Sequence, residues 1–322
     1  MEKFLSCDWG TSFFRMRLVQ YENLEIIAEE KNDKGIARIF KLWKDAGEDA
    51  AKRQVFYQFV ITEAIQILSK RVGFDLNGIP VIISGMVASS IGMVDLPYQH
   101  IPVAIDGSNL EIKRLAIDGL ENEFIIISGI RSVDDVIRGE ETKIMGCAPY
   151  LKDVEQLLIF PGTHPKHVTV KNNEVIGIKT FMTGEFFDLL STQSVLAASV
   201  KADGDFPTAD HQINFEQGVK DSLTENLLHT AFKIRTNDIL KNISKEDNFH
   251  YLSGLLIGTE LKDVLSHEFA IYLCGGTDLI RRYRSACDIF GIDIAAQIDA
   301  DTALLNGQKI VYNRYQGISI VN

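Results

Sequence analysis

Residues 4–18 of the chain read FLSCDWGTSFFRMRL, and this stretch decides the fold. Its apolar beginning predicts a β-strand, and the alternation of apolar and polar residues over 14–18 predicts a second, half-buried strand. The Gly-Thr-Ser sequence at 10–12 is the expected connection between them. A third strand is predicted over 24–28. The N-terminus is therefore expected to form an antiparallel meander with a Gly-Thr-Ser tip.

The second half of the chain repeats this pattern. Residues 157–170 read LLIFPGTHPKHVTV, which predicts a strand, a Gly-Thr tip and a second strand. A turn at Asn172-Asn173 and a third strand over 175–180 follow. Aligning Gly10-Thr11 with Gly162-Thr163 brings the later turns close to register, which indicates an internal duplication. The alternative is that Gly-Thr turns between strands are simply common.

Helices and buried strands alternate through the rest of the chain. Apolar residues at steps of three and four predict a helix over 49–72. The other expected elements are strands over 81–83, 124–127, 269–274 and 292–296, and helices over 215–240 and 251–265, after Gly139, after Thr277 and from 301 onward. Such alternation is typical of the α/β class. The predicted domains are residues 1–150 and residues 151–322.

Composition and charge narrow the classes of function. The 322 residues are 46% hydrophobic and 24% charged, as is usual for globular chains, and their formal net charge is −11. This charge disfavours a nucleic-acid partner, because nucleic-acid binding relies on Lys and Arg contacting phosphates. No apolar stretch reaches the roughly 18 residues of a membrane helix. The four cysteines form no CxxC pair, which favours a reducing, cytoplasmic setting without a zinc site.

The two tips have the chemistry of phosphate loops. Glycine allows a close approach, and backbone N–H groups and hydroxyls bind the oxygens of a polyphosphate. Asp8 stands beside the first tip, where its carboxylate would repel phosphate unless Mg²⁺ bridges the two. A strand followed by Gly-Gly and a helix is a further cradle for a nucleotide. The candidate nucleotide-binding residues are Gly10, Thr11, Ser12, Gly162, Thr163, His164, Lys166, Gly275, Gly276 and Thr277.

Glu140 and Glu141 open a predicted helix. Acidic residues in a first turn favour the helix dipole, which is a purely structural role. The alternative is that one of them is a general base that takes a proton from a substrate hydroxyl. Adjacent residues point in different directions on a helix, so at most one of the two is expected to face a cleft.

Several cations are candidates for binding anions. Arg15 follows the first tip, and His164 and Lys166 lie on the second, where positive charge stabilises a transferring phosphate. Arg131 and Arg138 are candidates for a substrate carboxylate, which a guanidinium binds through two hydrogen bonds. The alternative for these two arginines is pairing with the neighbouring aspartates.

Two further motifs have structural alternatives. Thr183 is predicted to cap a helix that has Glu185 in its first turn. Gly254 and Gly258 fall on one face of a predicted helix, which indicates either close helix packing or contact with a nucleotide.

The order of these motifs resembles that of one family. The segment from Asp8 to Arg15 resembles the first phosphate motif of the actin-like ATPase superfamily. Over nearly its whole length the chain then resembles the 2-dehydro-3-deoxygalactonokinases. The motifs that carry this resemblance are SGMV (84–87), LPY (96–98), IRGEET (137–142), FPGTHPK (160–166), MTGE (182–185) and LSGLLIG (252–258).

The resemblance implies two duplicated ribonuclease-H-like domains with a nucleotide cleft between them. It implies ATP-dependent phosphorylation of 2-dehydro-3-deoxy-D-galactonate at its terminal hydroxyl in galactonate catabolism, with ATP and Mg²⁺ as cofactors. Asp8 would organise Mg²⁺, and the catalytic base would be Glu140 or Glu141. The candidate substrate contacts are Ser84, Gly85 and Met86, together with the two arginines considered above, Arg131 and Arg138.

The chain also departs from the family pattern. His167 stands where the family usually has Trp, and Pro165 and Met93 differ as well. A related sugar acid, the gluconate epimer, is therefore an alternative substrate. Two rival functions are a superfamily phosphatase and a nucleotide-binding sensor without turnover. The absence of a GxGxxG motif after a strand argues against a Rossmann dehydrogenase. The predicted partner is a small-molecule sugar acid, and a homodimer is left open.

Overall fold

A computed structural model describes residues 2–49, 52–202, 206, 209–266 and 269–317. The described residues form two compact units. Unit 1 combines the described parts of Met1–Asp153, Lys171–Ile178 and Asp301–Asn322, and unit 2 combines those of Val154–Val170 and Lys179–Ala300. Each unit contains strands and helices, so the predicted α/β class is confirmed. The predicted domain boundary near residue 150 stays a prediction.

The strands are β1 (Lys3–Trp9), β2 (Phe14–Gln20), β3 (Ile26–Asn32), β4 (Val81–Gly85), β5 (Gln99–His100), β6 (Val103–Ala104), β7 (Ile112–Leu115), β8 (Phe124–Ile127), β9 (Ile130–Arg131), β10 (Val136–Ile137), β11 (Gln156–Phe160), β12 (Lys166–Lys171), β13 (Glu174–Thr180), β14 (Ala270–Gly275) and β15 (Ile294–Asp299).

The helices are α1 (Ile36–Asp45), α2 (Arg53–Val72), α3 (Glu140–Cys147), α4 (Thr183–Thr192), α5 (Ala209–Thr224), α6 (Leu227–Lys241), α7 (Lys245–Leu261), α8 (Thr277–Phe290) and α9 (Ala300–Tyr315). Among the described residues, no helix is long and apolar enough to span a bilayer.

The main sheet of unit 1 has the strand order β3-β2-β1-β4-β8-β7. β1 pairs antiparallel with β2 and parallel with β4, and β2 pairs antiparallel with β3, which confirms the predicted meander. All residues of β4 and β8 are buried, as expected for central strands covered on both faces. The rings of Trp9, Phe14 and Tyr57 pack together and are fully buried, which joins α2 to the sheet.

The sheet of unit 2 repeats this arrangement. β11 pairs antiparallel with β12 and parallel with β14, and β14 pairs parallel with β15. The order β12-β11-β14 therefore has the same directions as β2-β1-β4 in unit 1. Asn172 and Asn173 both have positive φ, as expected for the turn predicted there. The strand order supports the predicted internal duplication.

Several elements differ from the sequence-based expectations. The sequence patterns do not predict helix α1, and the single helix expected over 215–240 is two helices, α5 and α6. The break occurs at Asn226, whose side chain accepts a hydrogen bond from the backbone N–H of Leu228 and caps α6. The prediction that Thr183 caps α4 is wrong, because Met182 occupies the cap position and no side-chain cap bond forms.

Gly254 and Gly258 serve helix packing. A Cβ atom at Gly254 would overlap the carbonyl oxygen of Phe215, and one at Gly258 would overlap the side chain of Ser222. Both of these neighbours lie on α5. The glycines therefore let α5 and α7 approach backbone to backbone, which favours the packing alternative over contact with a nucleotide.

The last helix packs within unit 1. A Cβ at Gly307 of α9 would overlap the carbonyl oxygen of Thr142 on α3, and a Cβ at Gly146 of α3 would overlap that of Ala303. The two helices are therefore in direct backbone contact, and α3 is held against α9.

Gln308 ties α9 to the central strands of the same unit. Its buried Nε2 lies 3.1 Å from the carbonyl oxygen of Cys7 on β1, 3.2 Å from that of Ile82 on β4 and 3.1 Å from Oγ of Ser84. The C-terminal helix thus braces the strand ends from which the first tip emerges.

Candidate active site

The first predicted phosphate loop connects β1 to β2. The Gly10 N–H donates to the carbonyl oxygen of Phe13 (3.0 Å), which closes the loop. The carbonyl oxygen of Gly10 accepts from the N–H of Ile36 (3.0 Å) at the start of α1. Thr11 and Ser12 are exposed. The loop is thus anchored through its backbone and leaves its two hydroxyl residues accessible.

Asp8 and Arg15 face each other across the β1–β2 ladder. Nη2 of Arg15 donates to Oδ2 of Asp8 (3.2 Å) and to Oδ1 of Asp301 (2.7 Å). Arg17 donates to Oδ2 of Asp301 (2.5 Å) and to Glu29 (2.5 Å). Burial alone would raise the pKa of Asp301, but the bonds from Arg17 and Arg15 hold it below its ordinary value. Asp301 therefore holds Arg15 beside Asp8.

The end of β4 lies directly beside Asp8. Ser84 is the parallel-ladder neighbour of Asp8, and Gly85 is that of Trp9. Gly85 has φ +100, and a Cβ there would lie 2.7 Å from the carbonyl oxygen of Trp9, so the position requires glycine. A Cβ at Gly139 would lie 3.3 Å from Cα of Gly85. This close approach brings the start of α3 to the ends of β1 and β4.

The two glutamates at the start of α3 differ in environment. Glu141 is fully buried, whereas Glu140 is partly exposed. Oε2 of Glu141 accepts from the N–H of Gly139 (2.5 Å), and Oε1 lies 3.2 Å from the hydroxyl of Thr142. Burial, and secondarily the charge of Glu140, raises the pKa of Glu141 to about 8. The Glu141 carboxyl group is thus bonded within the protein interior, whereas the side chain of Glu140 is accessible to solvent.

The two arginines suggested for a substrate carboxylate also differ. Arg138 is buried, and its guanidinium donates to the carbonyl oxygens of Ala88 and Leu96 (3.2 Å to Leu96). The same group lies 4.1 Å from the ring centroid of Tyr98. Nε of Arg131 donates to the carbonyl oxygen of Ser132 (3.2 Å), and this side chain is partly exposed. Arg131 is therefore the more accessible of the two.

Met86 follows Gly85 directly and lies in the chain between the end of β4 and Ala88, whose carbonyl oxygen binds Arg138. It opens a short 3-10 turn over Met86–Ala88, and its carbonyl oxygen accepts from the N–H of Ser89 (3.1 Å). The backbone of this turn connects the end of β4 with the carbonyl oxygen that binds Arg138. The predicted contacts Ser84, Gly85 and Met86 are thus continuous with the surroundings of that arginine.

The second predicted phosphate loop connects β11 to β12 in unit 2. The carbonyl oxygen of Thr163 accepts from the N–H of Glu185 (3.0 Å), and Nε2 of His164 lies 2.5 Å from Oε2 of Glu185. Nζ of Lys166 donates to the carbonyl oxygen of His164 (3.0 Å), and Lys166 is mostly buried. At Gly162 a Cβ would meet nothing within 4 Å. The loop is therefore fastened to α4 and open around its glycine.

The Gly-Gly turn lies beside this second loop. Gly275 ends β14, Gly276 occupies the cap position of α8, and Thr277 begins that helix. A Cβ at Gly275 would lie 3.4 Å from Cδ of Pro161, the residue that precedes Gly162. Gly276 and Thr277 are exposed. Unit 2 thus brings its two predicted nucleotide-binding segments together.

The carboxylate beside the first loop suits a divalent metal ion that takes its other ligands from water and substrate. Asp8 is a mostly buried carboxylate next to the first predicted phosphate loop, and within the described ranges no group of three or more His, Cys, Asp or Glu side chains could hold a metal ion. Mg²⁺ keeps several waters and takes its other ligands from one or two carboxylates and substrate phosphates.

Comparison with known proteins identifies the family. A family model described as 2-keto-3-deoxy-galactonokinase matches residues 8–311. The chain belongs to this family. In this galactonokinase family member the match begins at Asp8 and ends within α9. It therefore includes both loops, the start of α3 and the Gly-Gly turn.

Relatives of this galactonokinase family member carry matching names. The chain is 31% identical over 239 residues to the 2-dehydro-3-deoxygalactonokinase of Escherichia coli (strain K12), covering 72% of this chain and 78% of that protein. It is 29% identical over 316 residues to a protein of Rhizobium meliloti (strain 1021) named "Probable 2-dehydro-3-deoxygalactonokinase", covering 94% of each.

Solved structures confirm the fold. A crystal structure assigned to a 2-dehydro-3-deoxygalactonokinase from Sinorhizobium meliloti is 26% identical, with a TM-score of 0.80 over 99% of this chain and 98% of that one. The activator of 2-hydroxyisocaproyl-CoA dehydratase from Clostridium difficile is 11% identical, with a TM-score of 0.50 over 99% of each chain, and shares the fold alone. The predicted actin-like ATPase fold is confirmed.

Sequence reasoning missed residues that support the site of this galactonokinase family member. Asp301 fixes Arg15, and Gln308 binds beside Ser84, although both lie at the far end of the chain. Their only local signal is an acidic residue in the first turn of α9. The roles predicted for the site residues themselves stay predictions, and the structure reports only where these residues lie.

Proposed function

We propose that this protein is an ATP-dependent kinase that phosphorylates 2-dehydro-3-deoxy-D-galactonate at its terminal hydroxyl, giving the 6-phosphate. The observation that carries the proposal is the family match over residues 8–311. The site geometry supports it, because a carboxylate, an arginine and a glutamate gather beside the first loop of unit 1. These are the groups that phosphoryl transfer requires.

In this proposal each loop is a phosphate-binding loop for the nucleotide. Gly10, Thr11 and Ser12 offer backbone N–H groups and hydroxyls, and Gly162, Thr163 and His164 do the same from unit 2. Gly275, Gly276 and Thr277 bind near adenosine. Lys166 fixes the second loop through the carbonyl oxygen of His164.

Asp8 would hold Mg²⁺, which when bound supplies positive charge that neutralises the phosphate oxygens. Arg15 is oriented by Asp301 and Asp8, and its fixed positive charge would stabilise charge on the transferring group. A preoriented donor stabilises a transition state more than a mobile one does. Asp8 and Arg15 therefore act as a pair beside the first loop.

Glu140 is the proposed general base. It is partly exposed at the start of α3, whereas Glu141 has no exposed surface and already accepts a bond from Gly139. The terminal hydroxyl oxygen attacks the γ-phosphorus, the bond to the bridging oxygen of the ADP leaving group breaks, and the hydroxyl proton passes to Glu140. Glu141 supports the helix start rather than the proton transfer.

The substrate carboxylate is proposed to meet Arg131, with the partly exposed Met86 along the sugar acid; Ser84 and Gly85 are buried and position the backbone from which Met86 follows. Arg138 then acts indirectly, because its guanidinium is occupied by the carbonyl oxygens of Ala88 and Leu96. No disulfide joins the four cysteines, and all four are buried, which suits a reducing compartment, so we place the reaction in the cytoplasm.

The test is ADP formation from Mg-ATP with 2-dehydro-3-deoxy-D-galactonate, with its gluconate epimer, and with neither. ADP formation that depends on the galactonate compound is the expected result. Preference for the epimer would assign the gluconate compound as the substrate and leave the kinase reaction unchanged. Hydrolysis of ATP without any sugar acid would indicate a phosphatase. Intact ATP under all conditions would indicate a nucleotide sensor.

A matched pair of variants tests the base. Glu140→Gln is expected to lower kcat by about 10²-fold or more, the usual contribution of general base catalysis. Glu141→Gln makes the same change one residue away and is expected to lower kcat far less. The reverse ranking would assign the base to Glu141.

A further inference from the structure

A buried carboxylate lies behind the second phosphate loop. Glu260, near the end of α7, is 3% exposed. Its Oε1 accepts from Nε2 of His167 (2.9 Å), and its Oε2 accepts from the hydroxyls of Tyr283 (2.7 Å) and Thr183. Removing a carboxylate from water is costly unless hydrogen bonds satisfy it, and here donors from β12, α8 and α4 converge on one group.

Two of these donors belong to the segments that form the loop. His167 follows Lys166 on β12, directly after the loop, and is itself buried with its ring 4.5 Å from that of Phe181. Thr183 is the first residue of α4, and the backbone of this helix start bonds to the loop through the Glu185 N–H. Glu260 therefore fixes both the exit of the loop and the helix start against which the loop rests.

The start of α4 is in close contact with the loop backbone. The Glu185 N–H donates to the carbonyl oxygen of Thr163 (3.0 Å), and the Phe181 N–H donates to that of Pro165 (2.8 Å). A Cβ at Gly184 would lie 2.6 Å from the carbonyl oxygen of Gly162. A displacement of Thr183 would therefore displace the loop as well, because the two backbones are in direct contact.

We propose that Glu260 is a positioning residue that sets the second phosphate loop for nucleotide binding by holding Thr183 and His167. The inference rests on the proposed function, in that the loop must bind nucleotide phosphate. It goes beyond that function because Glu260 acts on the loop through its hydrogen-bond partners.

The test is the affinity for Mg-ADP, measured by isothermal titration calorimetry. Thr183→Val removes the hydroxyl that links α4 to Glu260 and keeps the side-chain size. We expect its Kd for Mg-ADP to rise roughly tenfold, as for one lost hydrogen bond to a charged group. Thr183→Ser retains the hydroxyl and should restore the wild-type Kd. In turnover, KM for ATP should rise while KM for the sugar acid stays constant.

The matched control is Tyr251→Phe. Tyr251 is a buried tyrosine of the same unit whose hydroxyl bonds to Asp221 (2.6 Å), away from the loop. It should lose stability without losing Mg-ADP affinity. An unchanged Kd in Thr183→Val, or an equal rise in Tyr251→Phe, would overturn the proposal.

A second variant covers the case in which Thr183→Val does not fold. Glu260→Gln keeps the shape and one acceptor oxygen, and its Kd for Mg-ADP should also rise; an unchanged Kd there would overturn the proposal as well. The wild-type protein separates the two hypotheses. Mg-ADP binding without phosphorylation of the sugar acid would reject only the proposed substrate, whereas no Mg-ADP binding at all would reject the nucleotide role and this inference together.

Discussion

Replacing Glu141 with Gln is expected to stabilise unit 1 at neutral pH and to do so less in acid. The buried carboxyl has a pKa of about 8, raised by burial and then by the charge of Glu140. A raised carboxyl pKa means that the folded protein holds a proton that the unfolded chain releases. Stability contributed by the neutral form is therefore lost as pH rises from about 4.5 toward 8.

The magnitude follows from the two pKa values. Between pH 5.5 and pH 7.5 the free energy of unfolding of the wild type should fall by about 2.5 kcal/mol through this group alone. Gln has no proton to release. Its carbonyl oxygen can accept from the Gly139 N–H while its amide faces the Thr142 hydroxyl, so the variant should not show this loss of stability.

The assay is urea unfolding followed by tryptophan fluorescence at the two pH values. Trp9 and Trp43 both lie in unit 1, the unit that contains α3, so the signal reports on the right part of the protein. The quantity to compare is the difference in free energy of unfolding between variant and wild type. Glu140→Gln is the comparison variant, since it makes the same change on a partly exposed side chain. Because the charge of Glu140 contributes to the raised pKa of Glu141, this variant should reduce the pH-dependent loss of stability only in part.

Parallel pH profiles for wild type and Glu141→Gln would refute the reasoning. That result would mean that the carboxyl group at 141 ionises in the folded protein as easily as in the unfolded chain. Burial would then not dominate its titration.

Three further outcomes are expected. Asp8→Asn should lower kcat by orders of magnitude with unchanged circular dichroism, and equal activity would exclude the Mg²⁺ role. Gly307→Ala should destabilise unit 1 by about 1–3 kcal/mol in urea unfolding, because the new Cβ would overlap the carbonyl oxygen of Thr142. This cost exceeds the gain from the better helix propensity of Ala. Unchanged stability would contradict the close contact of the two helices. Asp301→Asn removes one of the two carboxylates that the buried Arg17 binds, so the midpoint of urea unfolding should fall at neutral pH. The difference from wild type should shrink in acid, where Asp301 loses its charge; a constant difference would argue against the ion pair.

The loops could be predicted from the sequence because their signals are local. The strands on either side of each Gly-Thr sequence are recognised from the pattern of neighbouring residues alone, and the pattern occurs in both halves of the chain. The strand order of the two sheets agrees with the predicted meander and its repeat. The same holds for the start of α3, where adjacent acidic residues follow Gly139. Which glutamate is buried could not be predicted, because that depends on how α3 packs.

Partners that lie far apart in the chain could not be predicted. Arg15 and Asp301 are separated by 286 positions, and nothing near either residue indicates the other. The role of Arg138 was equally hidden, since its acceptors are backbone carbonyls that any residue type supplies. The break between α5 and α6 did have a signal, because Asn226 is a favoured helix cap, but apolar spacing on both sides concealed it.

The position of α9 has a consequence for biosynthesis. The ribosome synthesises β1 and β4 before unit 2, but the amide of Gln308 that binds their carbonyl oxygens is made only after both segments of unit 2. Asp301, which neutralises Arg15 and Arg17, arrives equally late. Translation therefore completes the later segment of unit 2 before unit 1, although domains generally fold from the N-terminus onward as they emerge. Unit 1 therefore begins first, yet it is the later of the two units to have all the segments described here synthesised.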